Sequence, residues 1–373
     1  MQTKKQPKQQ QKPKEQPKPQ APLRDYSQIK LFDIAANLSD DRYKGVYYGG
    51  KLHDPDFDLV IKRANDYGVR KFLFASGYLH DAEDSYNLAL RSEDFYCTVG
   101  VHPCRATEPF KVQSQNSSSN SNDEVVKSTS LTDNQQVKLP NEEEKDNTTQ
   151  RQEINKEEML KDYMRRIDEM LCTKERKEKF VAIGECGLDY DRFEYADKET
   201  QLMVFPPHFD LAQKHNLPMY LHSRNTDGDF ARIVRENRHK FSTGVVHSYT
   251  GDLEELRELL DMNLYIGLNG CSLKTDQNME VVKQIPLDRI MLETDCPYCD
   301  IRNSHASAKH VKTQFAKVPK DKYKCGDKMN KDRNEPCTMI QVAEVVSHLL
   351  GVSEEELMQV AWENTVNMFN LKE

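Results

Sequence analysis

Five short apolar runs in the chain each end on a residue able to hold a cation: Val99-Gly-Val-His102, Ala182-Ile-Gly-Glu185, Met219-Tyr-Leu-His222, Val245-Val-His247 and Met291-Leu-Glu-Thr-Asp295. A buried parallel strand reads as a continuous apolar run, so a single carboxylate or imidazole at its end is readily a core residue with a satisfied partner. The same event on five successive runs, always at the C-terminal end, is the arrangement of a (β/α)₈ barrel with its site at the strand ends. Two carboxylates and three imidazoles suit a divalent cation engaged in hydrolysis.

The elements that must position these residues follow from the pattern. Strand-like runs occupy Leu31–Leu38, Lys71–Gly77, Phe95–His102, Phe180–Glu185, Pro218–His222, Gly244–His247, Leu264–Gly270 and Arg289–Asp295. Segments with helical apolar spacing lie between them, such as Asp58–Tyr67, Lys198–His215 and Asp252–Leu260, and Met339–Leu350 and Glu354–Phe369 close the chain. Eight strands alternating with helices predict an α/β fold, a single-domain (β/α)₈ TIM barrel. An open doubly wound sheet shares the alternation, but no glycine-rich phosphate fingerprint follows the first strand.

Two stretches fall outside this pattern. Residues 1–24 are almost entirely Lys, Gln and Pro, and residues 111–153 are polar and acidic on balance with almost no large apolar side chain. Neither buries enough apolar surface to offset the entropy of ordering, so a disordered tail and a disordered loop insertion into one barrel spanning residues 25–373 are expected. They also account for the low mean hydropathy of −0.83. The net charge of −8 does not suggest a nucleic-acid binder held by bulk electrostatics. An enzyme that grips phosphate through metal ions need not be basic. The nine cysteines show no disulfide framework, and neither a secretory signal nor a membrane span is apparent. A soluble intracellular protein of the cytoplasm or nucleus, monomeric and without a membrane partner, is the expectation.

Local sequence sharpens the chemistry. Glycines flank Glu185 in Gly184-Glu-Cys-Gly-Leu-Asp189, which predicts a sharp exit from the strand that presents the carboxylate. Arg224 follows His222 by two residues, so it emerges on the same face and can pair with a phosphate oxygen. Together Glu185, His222, His247 and Asp295 form a cation site.

These residues also carry a resemblance. Phe32-Asp33-Ile-Ala-Ala-Asn37, Gly100-Val-His102-Pro103, Gly184–Asp189, Leu221-His-Ser-Arg224, His247-Ser-Tyr-Thr-Gly251, Glu293-Thr-Asp295-Cys-Pro297 and Arg333-Asn-Glu-Pro336 resemble, in order and spacing, the TatD-type metal-dependent deoxyribonucleases. The resemblance implies that Glu185 bridges two metals, that His222 and His247 are ligands, and that Asp295 ligates metal and handles the water proton. It further places His102 and Arg224 at the scissile phosphate, with Glu185, Asp295, His102 and Arg224 as the catalytic set. The implied substrate is single-stranded DNA or frayed 3′ ends cut in the 3′→5′ direction, with RNA as a further substrate. Many relatives carry His-x-His on the first strand, where this chain reads Ala35-Ala36-Asn37. That departure weakens one metal site and favours Mg²⁺, with its water-completed shell, over Zn²⁺, as one or two ions, with Zn²⁺ or Mn²⁺ as the alternatives.

Rival readings are a small-molecule metal hydrolase or deaminase on the same barrel, and a non-catalytic scaffold. Cys296-Pro-Tyr-Cys299 matches a redox motif by its letters but sits on the last strand, not in a thioredoxin-like unit. Cys296, Cys299, Cys325 and Cys337 lack the paired spacing of a four-thiolate zinc site. Asp33 is either a remnant of the first-strand ligands or a structural hydrogen-bonder, Glu335 has a supporting role, and Tyr190, Phe193 and Tyr195 are candidate stacking residues.

Overall fold

The computed structural model describes residues 25–111 and 142–372, the first part of the second segment by its backbone alone. The 1–24 tail and most of the 111–153 stretch lie outside the described residues. The chain re-enters at Glu142, at the start of a helix, so the end of that stretch is helical backbone where a loop was expected.

In chain order the strands are β1 (Leu31–Asp33), a hairpin of β2 (Val46–Tyr47) and β3 (Gly50–Lys51), then β4 (Val69–Phe74), β5 (Phe95–Val99), β6 (Phe180–Asp189), β7 (Met219–Arg224), β8 (Gly244–His247), β9 (Tyr265–Leu268) and β10 (Ile290–Leu292). A parallel pair, β11 (Lys317–Val318) and β12 (Met329–Asn330), follows. The main sheet holds eight strands in the order β1-β4-β5-β6-β7-β8-β9-β10, and every pairing in it is parallel. Its two edges meet just beyond the strands, through an Ala36–Cys296 bridge and a 2.9 Å bond from Asn37 N–H to Cys296 O. This is the expected (β/α)₈ barrel.

The helices are α1 (Phe57–Asp66), α2 (Leu79–Ala89), α3 (Glu142–Met170), the single turn α4 (Lys174–Lys177), α5 (Lys198–Val204), α6 (Pro207–His215), α7 (Asp229–Asn237), α8 (Leu253–Asp261), α9 (Asp276–Val282), α10 (Met339–Leu350) and α11 (Glu354–Met368). Their starts are written in the sequence. Side chains of Asp197, Asp252, Thr275 and Ser353 each accept a backbone N–H in the first turn of their helix. The single helix expected over Lys198–His215 is two, because Pro206-Pro207 interrupts it and Pro207 opens α6.

Apolar side chains fall into two clusters. The larger joins the outer faces of the strands to the helices. The smaller fills the barrel with Phe32, Leu73, Tyr96, Tyr220, Val245 and Met291, closed off by Trp362 and Phe369 from the end of the chain. Successive side chains alternate across a strand, so the same inward face that carries Tyr220 carries His222, and the face of Val245 carries His247. Packed layers below thus fix the imidazoles above. Among the described residues no helix is long and apolar enough to cross a membrane.

Candidate metal centre

Glu185 lies inside β6 and not at its end, which corrects the expected sharp exit. The strand runs on to Asp189, and its register with β7 shifts between Ile183 and Cys186. A bulge of this kind re-aims a side chain without ending the strand. The glycines serve close approach: a Cβ on Gly184 would sit 2.0 Å from Tyr220 O, and one on Gly187 1.9 Å from His222 O. Both also hold positive φ, +143° and +149°.

The bulge aims Glu185 at three imidazoles from three neighbouring segments. Its Oε1 lies 2.6 Å from His247 Nε2, 3.0 Å from His222 Nδ1 and 3.2 Å from His102 Nε2. His102, His222 and Glu185 bring their ligand atoms within 4.8 Å of one another, and the Nδ1 of His222 is 3.3 Å from the Nε2 of His247. Burial alone would push the Glu185 carboxyl up and the imidazoles down. The mutual attraction of these opposite charges outweighs burial, so Glu185 is held well below the usual carboxylate range. His102 and His222 are raised and His247 is raised strongly.

A site that demands protons on several crowded imidazoles is one a cation can satisfy in their place. The residues fit such a group: His222 Nδ1 and His247 Nε2 crowd together beside Glu185 Oε1, and the donor set of imidazole and carboxylate suits a divalent metal.

His102 caps a 3₁₀ turn just past β5, with Nδ1 accepting from Cys104 N–H at 3.0 Å. Arg224 does share a face with His222, and both reach Asp189. Arg224 binds that carboxylate through Nε at 2.9 Å and Nη2 at 2.5 Å, and His222 Nε2 lies 3.5 Å away. Burial opposes the charge on Asp189, but His222 and Arg224 hold its carboxyl well below the ordinary range.

Asp295 follows β10 by three residues and takes a positive φ of +48°. Like His247, it stands outside the group of His102, Glu185 and His222 whose ligand atoms lie within 4.8 Å of one another. Asn37 Nδ2 donates to its Oδ1 at 2.9 Å, so Asn37 is an orienting donor here. Burial pushes the Asp295 carboxyl up to about 6, with Glu293 and Glu185 adding to the shift and His247 opposing it. Of the two readings of Asp33, the structure supports the structural one. Its carboxylate accepts from Thr294 N–H at 2.9 Å and Thr294 Oγ1 at 2.5 Å, one residue before Asp295, and burial pushes it up to about 7.

Sequence reasoning gave no role to Asp189 or Glu293, though both stand in the quoted blocks. Glu293 is fully buried, accepts from Ser248 N–H and Asn269 Nδ2 at 2.8 Å each, and lies 3.6 Å from His247 Nδ1. Its signal was the unexplained carboxylate two residues before Asp295. His208 was missed as well; its Nε2 accepts from Val101 N–H at 3.0 Å and so anchors the turn bearing His102. The four thiols weighed for zinc do not assemble. Cys325 sits by His53, Cys337 by Met329, and Cys299 by Cys271. His53, Asp56 and Cys325 do cluster, but Asp56 is already spent on Arg333 and Tyr323.

A parallel barrel with imidazoles and carboxylates gathered at its strand ends defines the class of metal-dependent hydrolase barrels. The family follows from comparison: residues 32–370 match the model of TatD related DNase, and the chain belongs to that family. It is 36% identical to Deoxyribonuclease Tat-D of Schizosaccharomyces pombe, over 92% of this chain and 96% of that protein. It is 27% identical to a protein of Erwinia tasmaniensis named 3′-5′ ssDNA/RNA exonuclease TatD, over 91% of this chain and all of that one. The crystal structure of a TatD-family hydrolase from Entamoeba histolytica superposes with a TM-score of 0.71 at 31% identity, covering 91% of this chain and 98% of that one.

Proposed function

We propose that this chain is a metal-dependent deoxyribonuclease that trims single-stranded DNA or frayed 3′ ends in the 3′→5′ direction, accepts RNA as a further substrate, and works as a monomer with Mg²⁺. The observation that carries the reading is the single Glu185 oxygen facing three imidazoles. The name of the Erwinia relative supports the polarity and the single-stranded substrate.

Glu185, His222, His247 and Asp295 would hold the metal. When bound, the cation withdraws charge from the phosphoryl group and lowers the pKa of water. Asp295 accepts the proton of the attacking water, and Asn37 fixes the carboxylate for that task. Glu293 and Asp189 aim His247 and His222 in turn. Arg224, its plane fixed by the two-point pair with Asp189, presents its remaining nitrogen to a phosphate oxygen beside His102. Phe193, Tyr195 and Tyr298 are exposed large aromatics, the last three residues past Asp295, and provide faces for unstacked bases.

The test is digestion of single-stranded oligonucleotides labelled at either end, with duplex DNA, RNA and small amides and esters as comparators. Mononucleotides released from the 3′ label and a ladder retaining the 5′ label are expected. Internal cuts would overturn the exonuclease reading, and turnover of small substrates alone would move the site to a small-molecule hydrolase.

A further inference from the structure

The chemistry above leaves one pair of nucleophilic side chains unused. Cys271, in the loop after β9, and Cys299, past Asp295, bring their Sγ atoms to 2.7 Å although 28 residues separate them. The redox motif in the sequence pairs Cys299 with Cys296; the fold pairs it with Cys271 and leaves Cys296 fully buried. The approach is built into the backbone. A Cβ on Gly270 would lie 2.1 Å from Cys299 O, so a glycine beside Cys271 is what lets the two loops touch.

Both loops are tied to the metal centre. The thiol of Cys299 donates to Asp295 Oδ2 at 3.2 Å. The N–H of Cys271 donates at 2.8 Å to Asn269 Oδ1, and Asn269 Nδ2 donates at 2.8 Å to Glu293. Both cysteines are only partly buried, within reach of a small oxidant.

We propose that Cys271 and Cys299 form a reversible disulfide under hydroperoxide, and that closing it removes the thiol donor from Asp295 and slows hydrolysis. The first half stands on geometry alone; the second rests on Asp295 acting as proposed above. One sulfur attacks the peroxide, forming an S–O bond as the O–O bond breaks and one water leaves. The second sulfur then displaces the sulfenic oxygen as another water, forming the S–S bond. Two thiols and one hydrogen peroxide give one disulfide and two waters, with two electrons passing from sulfur to oxygen. An external dithiol reverses the step and is itself oxidised.

The full-length chain is treated with hydrogen peroxide, its free thiols are alkylated, and non-reduced peptides are read by mass spectrometry beside 3′-nucleotide release. A Cys271–Cys299 cross-linked peptide is expected, with activity about tenfold lower, on the scale of one hydrogen bond to a charged group, and restored by dithiothreitol. Cys271→Ser should match the untreated wild type and ignore peroxide, and Cys299→Ser, which keeps an O–H donor, should ignore it too. Absence of the cross-link while exposed Cys172 oxidises would overturn the pair as a site. A cross-link with unchanged rate, or equal loss in Cys271→Ser, would overturn its control of turnover. An untreated chain that releases no nucleotide refutes the nuclease reading instead, and the cross-link still decides whether the pair is a modification site.

Discussion

At the scale of single residues, the site is a problem of charge held out of water. Glu185 is largely withdrawn from water with three imidazoles against one oxygen, and each ring must carry a proton or meet a cation to be satisfied there. Glu185, His222 and His247 were legible in the sequence because each interrupts an apolar run. Glu293 and Asp189 stood in the motif blocks as carboxylates without a task, and the imidazole each one faces appears only once the fold supplies it. Glu293, proposed above to position His247, lies 3.6 Å from its Nδ1. Glu293→Ala should therefore weaken divalent-cation binding by about 10- to 100-fold, read by calorimetric titration, with the far-ultraviolet spectrum unchanged. Unchanged affinity would reduce Glu293 to a loop-holding residue.

At the scale of elements, strand ends and helix starts were readable, but the path of β6 was not. Glycines beside Glu185 suggest an exit, and only the neighbouring strand reveals that they admit Tyr220 O and His222 O at contact distance. α6 teaches the same lesson through His208, an imidazole on an apolar face whose partner, Val101 N–H, lies more than a hundred residues away. Burial pushes His208 down to about 4, with the carbonyls of Phe205 and Val204 opposing only in part. An unfolded histidine takes its proton near pH 6.5, so the unfolded state binds protons first as pH falls. This contribution to stability is full above pH 6.5 and is lost as pH falls toward 4. His208→Gln keeps both a donor and an acceptor, so the fall in stability from pH 7.5 to 4.5 should shrink by about 2–3 kcal/mol relative to wild type, measured by urea unfolding. Parallel pH curves for the two proteins would contradict that assignment.

At the scale of the whole molecule, the Arg333-Asn-Glu-Pro336 block joins distant parts of the chain behind the site. Arg333 pairs with Asp56 through both terminal nitrogens and with Glu335 at 3.2 Å, while Arg63 of α1 reaches Glu335 at 2.7 Å. Asn334 then binds Pro297 O and Thr294 O on either side of Asp295. The supporting role read for Glu335 takes this form, and its pairing with Arg63 was illegible because 272 residues separate the two. Arg333→Met strands Asp56 and part of Glu335 in the interior and should cost about 3–5 kcal/mol of stability, seen as a lowered urea midpoint; a loss under about 1 kcal/mol would show the network to be replaceable by packing. The bulged β6 aims Glu185, and the closing network holds the segment that carries Asp295. The most direct measurement is Mg²⁺-dependent nucleotide release from 3′-labelled single-stranded DNA by wild type and Glu185→Gln, each verified as folded, with EDTA as control. Release by the wild type is expected, abolished by EDTA and reduced about 10³-fold or more in the variant. Equal release by both proteins, or release that survives EDTA, would contradict it.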